Sequence, residues 1–346
     1  PSRRRRARAN TRETMRTFAI ALCALGSSAA ASSASAGSIA PAPRRTTSQE
    51  VYTRAELRRG IAGFYDESSA LWESVWGEHM HHGYYPKGGA RKDHKQAQVD
   101  MIEAVLSWAG VGTPGSRPPR SVLDVGCGIG GSSRHLARKY GCEATGVTLS
   151  PKQAARANAL ATAQGLGERV RFRVADALAL PFSRGQFDLV WSLESGEHMP
   201  DKAAFVSELA RVCRPGGKVI IVTWCTRDLA AGETSLRPNE ERLLRRINEA
   251  FFLPAWCSVG EYTRLLRSNG LTRVQRADWT DEISAFWPAV IGTALRPSGL
   301  IGLARAGLTT ARGALVMPLM IRGYRMGLIK FGLVTAEKPK PWWQLV

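Results

Sequence analysis

The chain has 346 residues, 44% hydrophobic and 22% charged, a balance that suits a soluble globular protein of one large domain or two smaller ones. Its net charge is +19, of which the first 45 residues supply +8 through nine Arg and one Glu, and the remaining +11 favours an anionic partner, membrane surface or nucleic acid. Six Cys occur with no C-x-x-C pair, which argues for reduced thiols and against a disulfide or zinc framework.

Residues 1–45 are rich in Arg, Ala and Ser and nearly free of acid, the composition of an organellar transit segment. The short apolar run Thr17 to Leu25 keeps a secretory reading open. From 51 to 76, Leu57, Ile61, Phe64, Tyr65, Leu71, Trp72, Val75 and Trp76 recur at helical spacing. Gly77-Glu-His-Met-His-His-Gly-Tyr-Tyr-Pro86 follows. Its histidines invite a metal reading, but no further ligand cluster completes one, so no metal is expected. A lid over a cationic ligand is the preferred reading, with aromatic faces attracting a cation by ~0.5–2 kcal/mol per contact. Trp72 and Trp76 serve equally well as core.

Lys92 to Trp108 reads as a helix. An apolar strand, Val122 to Val125, then leads into a turn with Gly126, Gly128, Gly130 and Gly131, and a helix from Ser132 to Tyr140. Strand, glycine turn and helix make a ligand site at the carboxyl end of a parallel strand. Asp124, inside that strand, would repel a phosphate and attract a cation. Glu143 to Thr148 is the second strand, and Ser150 with Pro151 marks the next helix start. No acid stands at that strand end for ribose hydroxyls, so Thr148, Ser150 and especially Gln153 must supply the contact. Val170 to Val174 is the third strand, and Asp176 lies just beyond it, beside Ala177. Asp176 suits an adenine amino group, or caps a turn.

The fourth strand, Phe187 to Ser192, runs into Glu194-Ser-Gly-Glu-His198. Lys202 to Val212 is helical, Arg214-Pro-Gly-Gly217 a turn, and Lys218 to Trp224 a fifth, very apolar strand. This alternation predicts an α/β fold with a mostly parallel, doubly wound sheet. Arg237 to Phe252 and Val259 to Asn269 read as helices and Leu271 to Trp279 as a strand. Residues 283–333 are apolar and punctuated by Arg296, Arg305, Arg312, Arg322, Arg325 and Lys330. They suggest a greasy, basic cap over an apolar substrate that rests on a membrane, with no run reaching the ~20 residues of a spanning helix.

Three segments, Leu123-Asp-Val-Gly-Cys-Gly-Ile-Gly130, Pro181-Phe-Ser-Arg-Gly-Gln-Phe-Asp188 and Arg211-Val-Cys-Arg-Pro-Gly-Gly-Lys218, resemble the motifs of class I S-adenosylmethionine-dependent methyltransferases in order. Gly77 to Tyr85 and Gly313 to Gly332 resemble plant and algal γ-tocopherol C-methyltransferases, and the resemblance runs from Val51 to Pro339. It implies a Rossmann-like fold with an amino-terminal helical lid and an apolar carboxyl-terminal cap. It implies S-adenosylmethionine bound by Asp124, Gly126, Cys127, Gly128, Gly130, Thr148, Leu149, Gln153, Asp176, Ala177 and Glu194. The organisation expected is a targeting segment at 1–45, a lid at 46–110, a cofactor-binding core at 111–235, and a cap with the final strands at 236–346.

The implied reaction is methylation of the chromanol ring, γ- to α-tocopherol and δ- to β-tocopherol, in a plastid and peripheral to an envelope membrane or lipid droplet. A phenol must lose its proton before its ring carbon attacks, and His198, Glu197 and Glu194 are the candidate bases in that order. The two glutamates also suit orienting the cofactor or capping the next helix. Related indole-alkaloid N-methyltransferases share the scaffold and form the alternative. A nucleic-acid substrate is disfavoured, because Leu193 to His198 lacks the Asn/Asp-Pro-Pro-aromatic motif of base-nitrogen enzymes.

Overall fold

A computed structural model describes residues 52–86, 92–286 and 308–340. The targeting segment expected at 1–45 lies outside the described residues, as do residues 287–307 of the expected cap.

Local chemistry sets the helix starts. Helix α1 (Arg54–Trp76) opens on a capping box, in which Thr53 accepts from the Glu56 backbone and the Glu56 carboxylate accepts from Thr53 N at 2.7 Å. Asp93 caps α2 (His94–Trp108). Strand β1 (Ser121–Val125) and α3 (Gly131–Tyr140) flank the glycine turn. After β2 (Glu143–Thr148), Ser150 caps α4 (Pro151–Ala163), with Pro151 in its first turn. Next come β3 (Val170–Val174), β4 (Phe187–Leu193), a 3₁₀ turn at Gly196–His198, and α5 (Lys202–Val212), capped by Asp201. The chain closes with β5 (Cys213–Thr226), α6 (Pro238–Phe251), α7 (Val259–Ser268), β6 (Thr272–Asp278), α8 (Leu308–Arg325) and β7 (Ile329–Glu337).

The seven strands form one sheet in the order β3-β2-β1-β4-β5-β7-β6. The pairs from β3 to β5 are parallel, and β7 runs antiparallel to both β5 and β6. Successive central-strand residues serve opposite faces. Leu123, Val190 and Val219 join one core cluster with Phe205, Leu209 and Tyr262, while Val122, Leu189 and Ile220 join another with Met101, Leu106 and Leu136. Both faces are therefore covered, which explains the nearly continuous apolar runs.

Two expectations change. Arg214–Gly217 lies inside β5 as an irregularity: the pairing jumps from Phe187↔Cys213 to Leu189↔Lys218, and Gly216 has φ +74°. Residues 329–333, read as part of the cap, sit instead in the middle of the sheet, where β7 pairs with β5 from Lys218↔Glu337 to Thr226↔Ile329. An apolar run buried on both sides looks the same as a greasy cap until its pairing partner is known. Among the described residues no helix is long and apolar enough to cross a membrane.

Gly130, expected at the cofactor, has a packing task. Its φ is +81°, and a Cβ there would lie 2.2 Å from the Phe172 ring. Gly130→Ala is expected to lower unfolding stability by about 2–4 kcal/mol through left-handed strain and overpacking, read as a lower urea midpoint at unchanged slope. An unaltered midpoint would show that the turn relaxes freely.

Candidate active site

At the carboxyl ends of β1, β2 and β4 lies a cleft with about 1020 Å³ of empty space. Asp124, Gly126, Cys127, Gly128, Thr148, Leu149, Gln153, Asp176, Ala177, Glu194 and His198 all line it. Of the expected cofactor residues, Gly130 is absent from this lining.

Asp124 is 2% exposed and accepts a 2.6 Å hydrogen bond from Ser133 Oγ. Burial pushes its carboxyl up to about 6, partly countered by Ser133. Gly126 has φ +79°, and a Cβ there would fall 2.1 Å from Ser195 Cβ, so only glycine lets this turn close under the cleft. A buried carboxylate beside a bare-backbone cradle fits a ligand that carries positive charge.

The carboxyl end of β2 is tied to α1. Thr148 Oγ1 donates to Gln153 Oε1 at 2.8 Å, Gln153 Nε2 donates to Ser69 at 3.2 Å, and Ser150 donates to Asp66. Asp66 of α1 thus stands at the strand end where the sequence offers no acid. Asp176 does two things, accepting from Leu178 N at 2.9 Å and facing Arg58 at 3.8 Å and Arg54 at 4.0 Å.

The Gly77–Pro86 segment is wedged into the protein rather than laid over it. His81 and His82 are buried, Arg134 binds Glu78 at 2.6 Å, and Gln98 holds the His81 carbonyl at 2.8 Å. Glu194, in the left-handed region at φ +54°, accepts from His82 N at 2.6 Å and pairs with His82 Nδ1 at 2.7 Å. Both Glu194 oxygens are thereby committed to this segment.

A second, apolar cavity lies alongside. Phe64, Trp72, Trp76, Trp224, Phe251 and Met317 make its aromatic and thioether walls. Tyr65, Met80, Glu194 and His198 line both cavities and form the partition between them, whereas Glu197 borders the second alone.

Glu197 is 2% exposed and accepts from Thr223 Oγ1 at 2.5 Å. Burial, then the charge of Glu194, pushes it up to about 7. His198 Nε2 lies 2.9 Å from Tyr65 OH, and burial, then Lys202, pushes the imidazole down to about 3. Lys202 Nζ donates to the carbonyls of Gly196, Glu197 and Met199 at 2.9, 3.1 and 2.7 Å. Tyr262 OH adds a 3.1 Å bond to Gly196 O. The turn carrying Glu197 and His198 is therefore fixed from below.

Sequence reasoning assigned no site role to Tyr65, Met80, Trp224, Phe251 or Lys202. Tyr65 falls within the apolar periodicity of α1, Met80 lies in the histidine-rich segment without being singled out there, and Trp224, Phe251 and Lys202 carry no local motif. The histidine-rich segment was the available signal for His82.

Residues 123–221 match the profile of a family described as "Methyltransferase domain". The chain is similar to "Probable tocopherol O-methyltransferase, chloroplastic" of Oryza sativa subsp. japonica, 58% identical over 286 residues, covering 82% of this chain and 79% of the relative. It is similar to "Tocopherol O-methyltransferase, chloroplastic" of Arabidopsis thaliana, 56% identical over 288 residues, covering 82% and 83%. The chain belongs to the tocopherol methyltransferase family. It is an S-adenosylmethionine-dependent methyltransferase, and the alkaloid-type N-methylation alternative is the weaker reading. The fold is also that of geranyl diphosphate C-methyltransferase from Streptomyces coelicolor A3(2), solved with S-adenosyl-L-homocysteine (TM-score 0.62, 23% identity, 82% of this chain and 98% of that one).

Proposed function

We propose that this methyltransferase acts on a ring carbon of tocopherol, converting γ- to α- and δ- to β-tocopherol in a plastid. One observation carries the reading: a polar chamber built around Asp124 and a dry aromatic chamber share a partition of Tyr65, Met80, Glu194 and His198. S-adenosylmethionine, when bound, supplies a methyl group activated by a sulfonium. Asp124 offsets the ligand's positive charge, Gln153 and Thr148 serve the ribose, and Asp176 with Ala177 serves the adenine end.

The aromatic chamber holds a chromanol ring flat and dry. Glu197 takes the proton of the phenolic hydroxyl, which sends electron density to the ortho carbon. Its pKa of about 7 makes it a better-matched base than His198 at about 3, so Glu197 stands first among the three candidates. His198 and Tyr65 hold the partition, and Glu194 fixes the histidine segment. Orientation across the partition then decides which nucleophilic atom meets the methyl group, and a methylated ring carbon afterwards loses its hydrogen as a proton, which restores the aromatic phenol.

In this reading α1 and the Gly77–Pro86 segment wall the chambers, residues of the 111–235 core bind the cofactor, and Phe251 and Met317 of the carboxyl-terminal part hold the acceptor while β6 and β7 complete the sheet. Arg322, Arg325 and Met326, exposed at the end of α8, suit peripheral contact with the surface of a plastid membrane or lipid droplet.

A second reading is methylation of the phenolic oxygen, as the relatives' printed names have it. The same base would serve it. The deciding experiment supplies methyl-labelled S-adenosylmethionine with γ-tocopherol and an indole alkaloid in parallel, and locates the label by carbon NMR. Label on the ring carbon is expected. Label on oxygen would replace the first reading with the second, and label only on the alkaloid nitrogen would overturn both.

A further inference from the structure

Of the histidines in the Gly77–Pro86 segment, His82 is engaged by Glu194, but the reading above leaves His81 without a task. The residue lines the cofactor chamber and is only 3% exposed. Nδ1 sits 2.9 Å from the His82 carbonyl oxygen. A carbonyl only accepts, so Nδ1 carries the ring proton and Nε2 presents a lone pair. That Nε2 is buried and has no hydrogen-bond partner among the described residues. A buried acceptor left unmade is costly and calls for an explanation. Burial also pushes the imidazole down to about 4, so the ring is a neutral acceptor throughout the physiological range.

The residues adjoining His81 in the chain say which end of the chamber it serves. Residues 78–81 pack on the glycine turn: a Cβ at Gly131 would lie 2.4 Å from Glu78 O, and one at Gly128 would lie 4.0 Å from Met80 Sδ. Asp124, hydrogen-bonded to Ser133 just after that turn, lies at this same end. The opposite end is formed by Asp176, Ala177 and Leu178 under Arg54 and Arg58. The cofactor's cationic groups, the sulfonium and the α-ammonium, belong with Asp124. Only the ammonium has N–H groups to donate. His79, which also lines the chamber, has a buried, unpartnered Nδ1 of its own, but that nitrogen packs against Gly131.

We propose that His81 Nε2 accepts a hydrogen bond from the α-ammonium of S-adenosylmethionine, which makes His81 the residue that selects the amino-acid end of the cofactor. The proposal rests on the reading of this chamber as the cofactor site.

The test is calorimetric and needs no acceptor. The full chain and its His81→Phe variant are titrated with S-adenosylhomocysteine and with the analogue whose α-ammonium is replaced by hydrogen. The unaltered protein is expected to prefer the amine by about 10- to 100-fold. His81→Phe is expected to lose about tenfold in affinity for the amine ligand and almost nothing for the analogue, so that the preference shrinks by that factor. His81→Gln, whose side-chain oxygen reaches the position of Nε2, is expected to keep most of the preference. It serves also if His81→Phe does not fold. Equal weakening of both ligands in the foldable variants would make His81 merely structural and overturn the proposal. An unaltered protein that binds neither ligand would overturn the cofactor reading itself, and this one with it.

Discussion

Glu197→Gln is expected to lower the rate of methyl transfer by about 10²- to 10⁴-fold, the usual range for a lost general base. Cofactor affinity should stay within about threefold, because Glu197 borders the aromatic chamber and not the polar one. Gln preserves the Thr223 hydrogen bond and the size of the side chain, so the fold is retained. The ionised carboxylate is the working form. Since burial and Glu194 hold Glu197 at about 7, the rate in the unaltered enzyme should rise as pH increases through 7 and level off above it. The variant's residual rate should lack that limb. Single-turnover rates across pH 5.5 to 9, with calorimetry of S-adenosylhomocysteine, check both statements, and a variant within fivefold of the unaltered rate refutes the assignment.

The second large effect concerns Asp124. Asp124→Asn keeps the shape and an acceptor for Ser133 but removes the charge. Cofactor affinity is expected to fall by about 30- to 1000-fold, ~2–4 kcal/mol for a buried cation left unpaired. In the unaltered protein the carboxyl is held at about 6, above its ordinary value of 3.8. Affinity should therefore weaken as pH drops below 6, and the Asn variant should show little of that dependence.

The stability of the free protein should move the other way. A raised carboxyl means that ionisation penalises the folded state. The penalty is absent below pH 3.8, grows between 3.8 and 6, and is complete above 6. Free Asp124→Asn should then melt higher than the unaltered protein at pH 8 and nearly equal to it near pH 4. Unchanged cofactor affinity in calorimetry would remove Asp124 from the site.

Much of the frame was legible because parallel α/β chemistry is local. Asp124 with its glycine turn, Ser150 with Pro151, and the bounds of α5 each follow from a few adjacent residues. The polar chamber was legible for the same reason, since its lining comes from strand ends that announce themselves. The aromatic chamber was not, because Phe64, Trp224, Phe251 and Met317 come from separate elements and meet only in three dimensions. The rank of the bases was hidden too. His198 has an ordinary pKa suited to the task, but its value in place depends on burial and on Lys202, which no spacing reveals. β7 escaped because its partners, β5 and β6, are far from it in the chain.

That last strand has a consequence for how the protein is made. β7 is the final described element, yet it lies between β5 and β6, so among the described residues β6 gains a strand to pair with only once the chain has passed Ile329. While translation proceeds, the Lys218–Thr226 edge of β5 and all of β6 present open backbone groups, the condition under which chains stick to one another. A product stopped short of Ile329 would keep every residue of the polar chamber and still lack the strand that joins β6 to the sheet. Such a fragment should need a chaperone, and quality control should recognise it by its unpaired edge.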